Sequence, residues 1–357
     1  MTAPAPSQAA PRPGHAMRVV TLCGSVRPLF SGTDDFHDNL VAVLRATGLD
    51  VRPVDLGRWG LAQVPSLLRA VNAERPDLIL MQYPTDAFSA ALGPHGFAAL
   101  QRLAPLVVTL HEFAAANPVR RASLSVLLAR SAAVVTTSAA ERASLLAWYP
   151  WLNSRTYVVP IGSNFPGRDW QPEVPPLVAY FGQIRPEKGL EEFIACQAVL
   201  ALRFPAAAFA IIGSRVSKFS SFCETITEAA SRRGISLVGE LPPGEVSDRL
   251  RAVTIALLPF PSGASWRRGS LLAAAACGVP IVTLRGPDTP PELIDLLRPA
   301  ASHNELVEQA VTYLSDGDAR QDAHRRSLSL AAQVSWDSIA DSYICLFRAF
   351  TKRRDAS

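Results

Sequence analysis

Residues 177–189 read LVAYFGQIRPEKG. A short apolar run, Leu177–Phe181, leads into a loop carrying Gly182, Arg185 and Lys188, and a helix opens behind it at Leu190. By length and composition the apolar run is a buried strand. Gly182 lets the backbone turn with no Cβ in the way. Two cations beside a helix amino end make a good diphosphate site. The same residues also read as an ordinary strand-to-helix turn with solvated charges, because short glycine loops are common.

Working outward, the alternation repeats on both sides. Downstream, strands are expected at Ala207–Ile212, Ser236–Val238, Ile255–Leu258 and Ile281–Thr283, and helices at Leu190–Arg203, Phe219–Arg233, Gly244–Arg251, Ser270–Cys277 and Ala301–Leu314. Upstream, strands are expected at Arg18–Cys23, Val51–Val54, Leu78–Gln82, Leu106–Leu110, Ala133–Thr137 and Tyr157–Val159, with helices at Phe36–Ala46, Gln63–Ala73, Gly96–Leu103, Val119–Arg130 and Ala139–Trp148. Between the halves, Phe165 to Pro176 is rich in Pro and polar residues and marks an exposed linker. A last helix, Trp336–Phe350, spaces Ile339, Tyr343, Leu346, Phe347 and Phe350 along one face, which should be buried. Strands alternating with helices argue for parallel βαβ units. The fold class is therefore α/β, with two Rossmann-like doubly wound parallel-sheet domains facing a cleft that holds a ligand beyond the strands' carboxyl ends.

Composition agrees. The 357 residues are too many for one ordinary domain. With 48% apolar and 18% charged residues the chain fills two cores and is not disordered. A net charge of +4 is too small to imply nucleic acid but suits phosphate-bearing ligands or an anionic membrane surface. Five scattered cysteines form no CxxC pair, which argues against a structural zinc site and for buried thiols in a reducing cytoplasm. Residues 1–16, rich in Ala and Pro, lack the apolar core of a signal peptide and read as a disordered tail. No run of about 20 apolar residues suggests a transmembrane helix.

The second informative stretch is LLPFPSGASWRRGSLLAAAACGVPIVT, residues 257–283. A buried strand ends in a Pro-containing loop holding Arg267, Arg268, Gly269 and Ser270, and an apolar, small-residue helix follows. Ser270 is placed to cap that helix and leave first-turn N–H groups facing a ligand. Two arginines there suit a phosphate; the bland reading is a surface loop with solvated arginines.

These two segments, in this order and spacing, resemble the donor-binding half of GT-B glycosyltransferases, specifically the family-four group. Pro186-Glu187-Lys188-Gly189 and Ala276-Cys277-Gly278-Val279-Pro280-Ile281-Val282 match its motifs, and the likeness runs from Arg18 to about Phe350. It implies an acceptor domain over 17–165, a linker over 166–176, a donor domain over 177–335 and a closing helix over 336–357 that crosses back to the first domain. Ser31-Gly32-Thr33-Asp34-Asp35 falls where the family has a glycine-rich loop beside the reacting sugar. Thr109-Leu110-His111-Glu112 resembles its Val-x-Thr-x-His, whose His faces the transferred sugar, and Pro160-Ile161-Gly162-Ser163-Asn164 resembles the stretch closing its first domain. The departures are equally specific. Gln183 stands where the family has Arg, with Arg185 two residues on, and Ser265 and Ala273 stand where it has two Glu residues that meet the sugar and the ribose.

The resemblance implies sugar transfer from a nucleotide-diphosphate sugar, UDP- or GDP-linked, with Gly32, Gly182, Arg185, Lys188, Arg267, Arg268, Gly269 and Ser270 at the donor. Cations and backbone N–H groups would stabilise the charge building on the diphosphate. No Asp-x-Asp motif ends a strand of the donor half, so metal-independent transfer with no cofactor is expected. If configuration inverts, a base is needed, and Asp34, Asp35 and His111 are the options. The expected acceptor is a glycan or a lipid-linked glycan of bacterial polysaccharide synthesis, made in the cytoplasm. Residues 118–130, PVRRASLSVLLAR, read as a helix packing on the sheet or as a peripheral contact with the membrane's inner face. The rival readings are a non-catalytic glycosyltransferase-like partner subunit, supported by Ser265 and Ala273, and a nucleotide-sugar epimerase. A dehydrogenase is discounted for want of Gly-x-Gly-x-x-Gly after either first strand.

Overall fold

The computed structural model describes residues 16–23, 32–54, 59–85 and 91–351. Residues 1–15 of the expected tail, and Ser31 of the glycine-rich stretch, lie outside the described residues. The chain divides into two compact units. The first takes residues up to Thr136, Ser144–Tyr157 and the chain from Tyr343 onward; the second takes Thr137–Ala143 and Val158–Ser342.

In the first unit the strands are β1 Arg18–Leu22, β2 Asp50–Val54, β3 Leu78–Pro84, β4 Leu106–His111, β5 Ala133–Thr136 and β6 Thr156–Val158. They lie in the order β2-β1-β3-β4-β5-β6, and the pairings from β2 through β5 are parallel. β3, β4 and β5 are buried along their whole length, as continuous apolar runs covered on both faces must be. In the second unit the strands are β7 Leu177–Phe181, β8 Ala208–Ile212, β9 Ser236–Val238, β10 Ile255–Leu258 and β11 Ile281–Thr283. Their order is β11-β10-β7-β8-β9, parallel throughout. The direction of winding reverses beside β1 in one unit and beside β7 in the other. In doubly wound sheets that reversal opens the ligand crevice at the strands' carboxyl ends.

Two local readings need correcting. Val119–Arg130 is not one helix but two, Pro118–Ser123 and Ser125–Arg130. Asn117 caps the first, accepting from the Arg120 N–H at 2.9 Å, and the Ser123 hydroxyl then takes the Arg120 carbonyl at 2.8 Å, ending the first helix within two turns. Leu124, Leu127 and Leu128 of this stretch are core residues, while Val119 and Val126 face outward. Second, the helices Pro291–Leu297 and Gly317–Gln333 were not expected. Gly317–Gln333 is capped by Asp316 and buries only a narrow stripe, Ala323, Ser327 and Leu330. The Phe165–Pro176 stretch is largely exposed, and backbone and ring contacts anchor it to the second unit. Gln171 and Glu173 donate backbone bonds to the Arg251 and Ala252 carbonyls, Trp170 Nε1 donates to Val253 O at 2.8 Å, and the Trp170 ring stacks on His324.

Four of the five cysteines are buried and Cys345 is exposed. The final helix, Trp336–Thr351, begins in the second unit, where Trp336 Nε1 donates to Ser163 O at 2.7 Å. From Tyr343 it belongs to the first unit, where the buried Tyr343 hydroxyl bonds Thr109 Oγ1 at 2.8 Å. Among the described residues, no helix is long and apolar enough to cross a membrane.

Candidate active site

The second unit's reversal point lies between β7 and β10, and the loops after these two strands are the two stretches singled out in the sequence. Glycines bring them together. Gly182 has φ +146°, and a Cβ on it would lie 2.7 Å from the Ser270 hydroxyl. Gly189, at φ +83°, would place a Cβ 2.1 Å from the Pro259 carbonyl. Real Cβ atoms do not come that close, so both positions require glycine. The loop between them is bent further by Glu187, at φ +65°, a left-handed conformation that an L-residue adopts at a cost.

Three cations converge here. Burial, and then the charges of Arg185 and Arg268, push the Lys188 ammonium down to about 8. The charges acting on Lys188 are therefore both positive. The Arg268 guanidinium lies 4.6 Å from the centre of the Phe260 ring and donates to Ser262 Oγ. Its own pKa is depressed by burial, with Asp288 acting against the shift and Arg267 and Arg185 adding to it. Beside them the buried Tyr180 hydroxyl has no hydrogen-bond partner among the described residues. Sequence reasoning missed Tyr180, because mid-strand it reads only as an apolar core position.

Concentrated like charge in a half-buried place is destabilising unless an anion joins it. The two helix amino ends are unequal in this respect. Leu190–Arg203 already carries Glu191 and Glu192 in its first turn. Gly269–Ala276 has no acid there and no side-chain cap. The cap position is Arg268, not Ser270, so the expected Ser270 cap is corrected. Ser270 sits in the first turn with its hydroxyl toward Gly182. The two neighbouring arginines also diverge: Arg267 Nη1 lies 3.3 Å from Glu141 Oε1, whose carboxylate is buried, while Arg268 stays with Lys188. Ser265 is buried and Ala273 fully so.

In the first unit, Gly32 opens the helix Gly32–Ala46 and places Asp34 and Asp35 in its first turn. Cys23 Sγ donates to Asp34 Oδ1 at 3.6 Å, and partial burial, then Asp34 and Asp38, raise the Asp35 carboxyl. His111 ends β4, with Nε2 2.9 Å from Gln82 Oε1 and its ring edge-on to Phe36. Burial lowers its pKa to about 4, so the imidazole is neutral near neutral pH and is a weak base there. Glu112 follows with φ +60°, a strained turn at the strand end.

Residues 7–162 match the family described as a glycosyl transferase 4-like domain, and residues 175–316 match glycosyl transferases group 1. The chain belongs to the GT-B glycosyltransferases. No curated protein matches this glycosyltransferase in sequence. Solved structures share its fold at low identity. A glycosyltransferase from Rickettsia africae superposes with a TM-score of 0.72 at 10% identity, covering 95% of this chain and 100% of that one. HepE of Anabaena, in complex with UDP and glucose, gives 0.67 at 15% identity, covering 93% and 100%. WaaG, a glycosyltransferase involved in lipopolysaccharide biosynthesis, gives 0.60 at 13%, covering 93% and 99%.

Proposed function

We propose that this glycosyltransferase binds the diphosphate of a UDP- or GDP-linked sugar at the second unit's reversal point and transfers the sugar to a glycan or lipid-linked acceptor. One observation carries the reading: Lys188, Arg185 and Arg268 gather beside Gly182 and an uncapped helix amino end, and the charges acting on Lys188 are both positive. An anion with two or more negative charges relieves that repulsion. In the reaction the bond from the anomeric carbon to the diphosphate oxygen breaks and a bond to the acceptor oxygen forms. The electron pair leaves on the diphosphate, where the cations and the N–H groups of Gly269 and Ser270 hold it, and these charges do the work a metal does elsewhere. The acceptor hydroxyl's proton passes to the leaving phosphate, or to Asp34 or Asp35 if configuration inverts; His111, with its low pKa, suits hydrogen bonding to the sugar better. Arg267, paired with Glu141, ranks behind Arg268.

Neighbours described with UDP, HepE among them, make UDP the first nucleotide to test. The decisive experiment is a screen of nucleotide-sugars for hydrolysis or transfer, run with and without a chelator, with NMR of the product's anomeric centre. Activity that survives the chelator supports the proposal; activity abolished by it and restored by a divalent cation refutes metal independence. A second reading, a non-catalytic partner subunit, is favoured by Ser265 and Ala273, and nucleotide binding with no turnover on any donor would establish it. We place the enzyme in the cytoplasm in bacterial polysaccharide or glycoconjugate synthesis. Val119, Val126 and Arg130 are its contacts with an anionic inner leaflet, a role that failure to co-sediment with anionic vesicles would remove.

A further inference from the structure

The first unit holds a cluster of buried, unpartnered nitrogens around one arginine that the donor reading does not use. Tyr83 lies near the carboxyl end of β3, beside the first unit's own reversal point. Side chains alternate along a strand, so Tyr83 faces away from the Gln82–His111 side of the sheet. The ring of His95, on the helix Gly93–Leu100, stands edge-on to Tyr83 with centres 6.0 Å apart. The guanidinium of Arg120, on Pro118–Ser123, lies 5.5 Å from the Tyr83 ring centre.

Arg120 Nε and Nη2 are buried and have no hydrogen-bond partner among the described residues, and the same holds for both ring nitrogens of His95, a residue only 7% exposed. Burial and then Arg120 hold that imidazole near 4. Nε and Nη2 form one edge of the guanidinium fork, the pair of parallel N–H groups that grips a carboxylate or phosphate with two bonds. Buried donors left unpaired are destabilising, and here four nitrogens on two side chains are unpaired together. Arg120 is only part-buried as a residue, although its Nε and Nη2 are buried.

We propose that Arg120, His95 and Tyr83 form a binding site for an oxyanion, a carboxylate or phosphate group. The anion takes two N–H bonds from Arg120 and one from His95, against the Tyr83 ring. The proposal stands independently of the donor site, since it uses none of its residues. Two sources carry that chemistry: an acidic group on the acceptor, or a free inorganic anion.

The test follows the His95 imidazole by NMR in the full-length protein, its signal identified by loss in His95→Gln. The protein is titrated with inorganic phosphate, acetate and methyl glucuronide, in wild type and in Lys188→Ala, where phosphate bound at the donor site is weakened. The expected result is a saturable shift of His95 in both proteins and a rise of its pKa from about 4 by one unit or more. Methyl glucuronide binding at least tenfold more tightly than acetate assigns the anion to a sugar acceptor; phosphate binding most tightly assigns it to a phosphate. Arg120→Met should abolish the His95 response and raise the anion-free Tm by a few degrees, because an unpaired buried cation is removed. A His95 signal unmoved by all three anions in wild type overturns the proposal without relying on any variant. So does a Met variant that still responds.

Discussion

Raising the pH removes one charge from the donor site before any other. Lys188 is held at about 8 against an ordinary 10.5, by burial first and then by Arg185 and Arg268. A bound diphosphate opposes these effects by supplying negative charge, so it draws the lysine back toward its ordinary value. At ~1.4 kcal/mol per pH unit, full recovery would strengthen binding by ~3 kcal/mol. The linkage sign follows. Below the free-state value Lys188 is charged in both free and bound protein, and affinity is flat. Above it the free protein must take up a proton to bind, so affinity falls. The dissociation constant of UDP should therefore rise about tenfold between about pH 7 and pH 9, with close to one proton taken up per UDP at the upper end. Titration calorimetry in two buffers of different ionisation enthalpy measures both quantities. Lys188→Arg stays protonated throughout and should show neither effect. Affinity independent of pH in the wild type, or an equal slope in Lys188→Arg, refutes the assignment of Lys188 to the diphosphate.

Three further outcomes follow from the geometry. Arg268→Ala should weaken nucleotide binding by ~2 kcal/mol, as expected for loss of a charge-assisted contact, whereas Arg267→Ala, already paired with Glu141, should change it by less than half as much; calorimetry with UDP separates them. Ala273→Glu, which restores a carboxylate where the family has one, should destabilise the fold by ~3 kcal/mol in urea unfolding, because Ala273 is fully buried and the new charge has no partner; a stable, more active variant would contradict this. Acid should weaken the fold through His95 and His111. Both are held near 4 in the folded state against an ordinary 6.5, so the unfolded chain binds more protons between these values. Stability should fall as the pH drops from about 6.5 to about 4 and less steeply in His111→Gln, as read by urea midpoints; a flat profile across that window would contradict the burial argument.

The strands were legible because buried parallel strands are written as unbroken apolar runs, and β3, β4, β5, β7 and β10 are of that kind. The helix Gly317–Gln333 was not, because its buried stripe is narrow and includes Ser327. The break at Ser123 was hidden because a serine bonding back to the Arg120 carbonyl is a local event that apolar periodicity does not register. In the site, glycines, cations and loop order were readable. Which arginine turns toward Lys188 was not, since it depends on the distant Glu141 and on the Phe260 ring. The Tyr180 hydroxyl and the Arg120–His95 cluster were invisible for the same reason, because the side chains gathered around them come from different elements.

The central claim is that a nucleotide diphosphate binds the second unit through Lys188 and Arg268. Calorimetry with UDP and GDP on wild type, Lys188→Ala and Arg268→Ala tests it most directly. The account predicts that at least one nucleotide binds the wild type and that each variant, still folded, binds it at least about tenfold more weakly. Folded wild type that binds neither nucleotide, or variants that bind as tightly as the wild type, would contradict it.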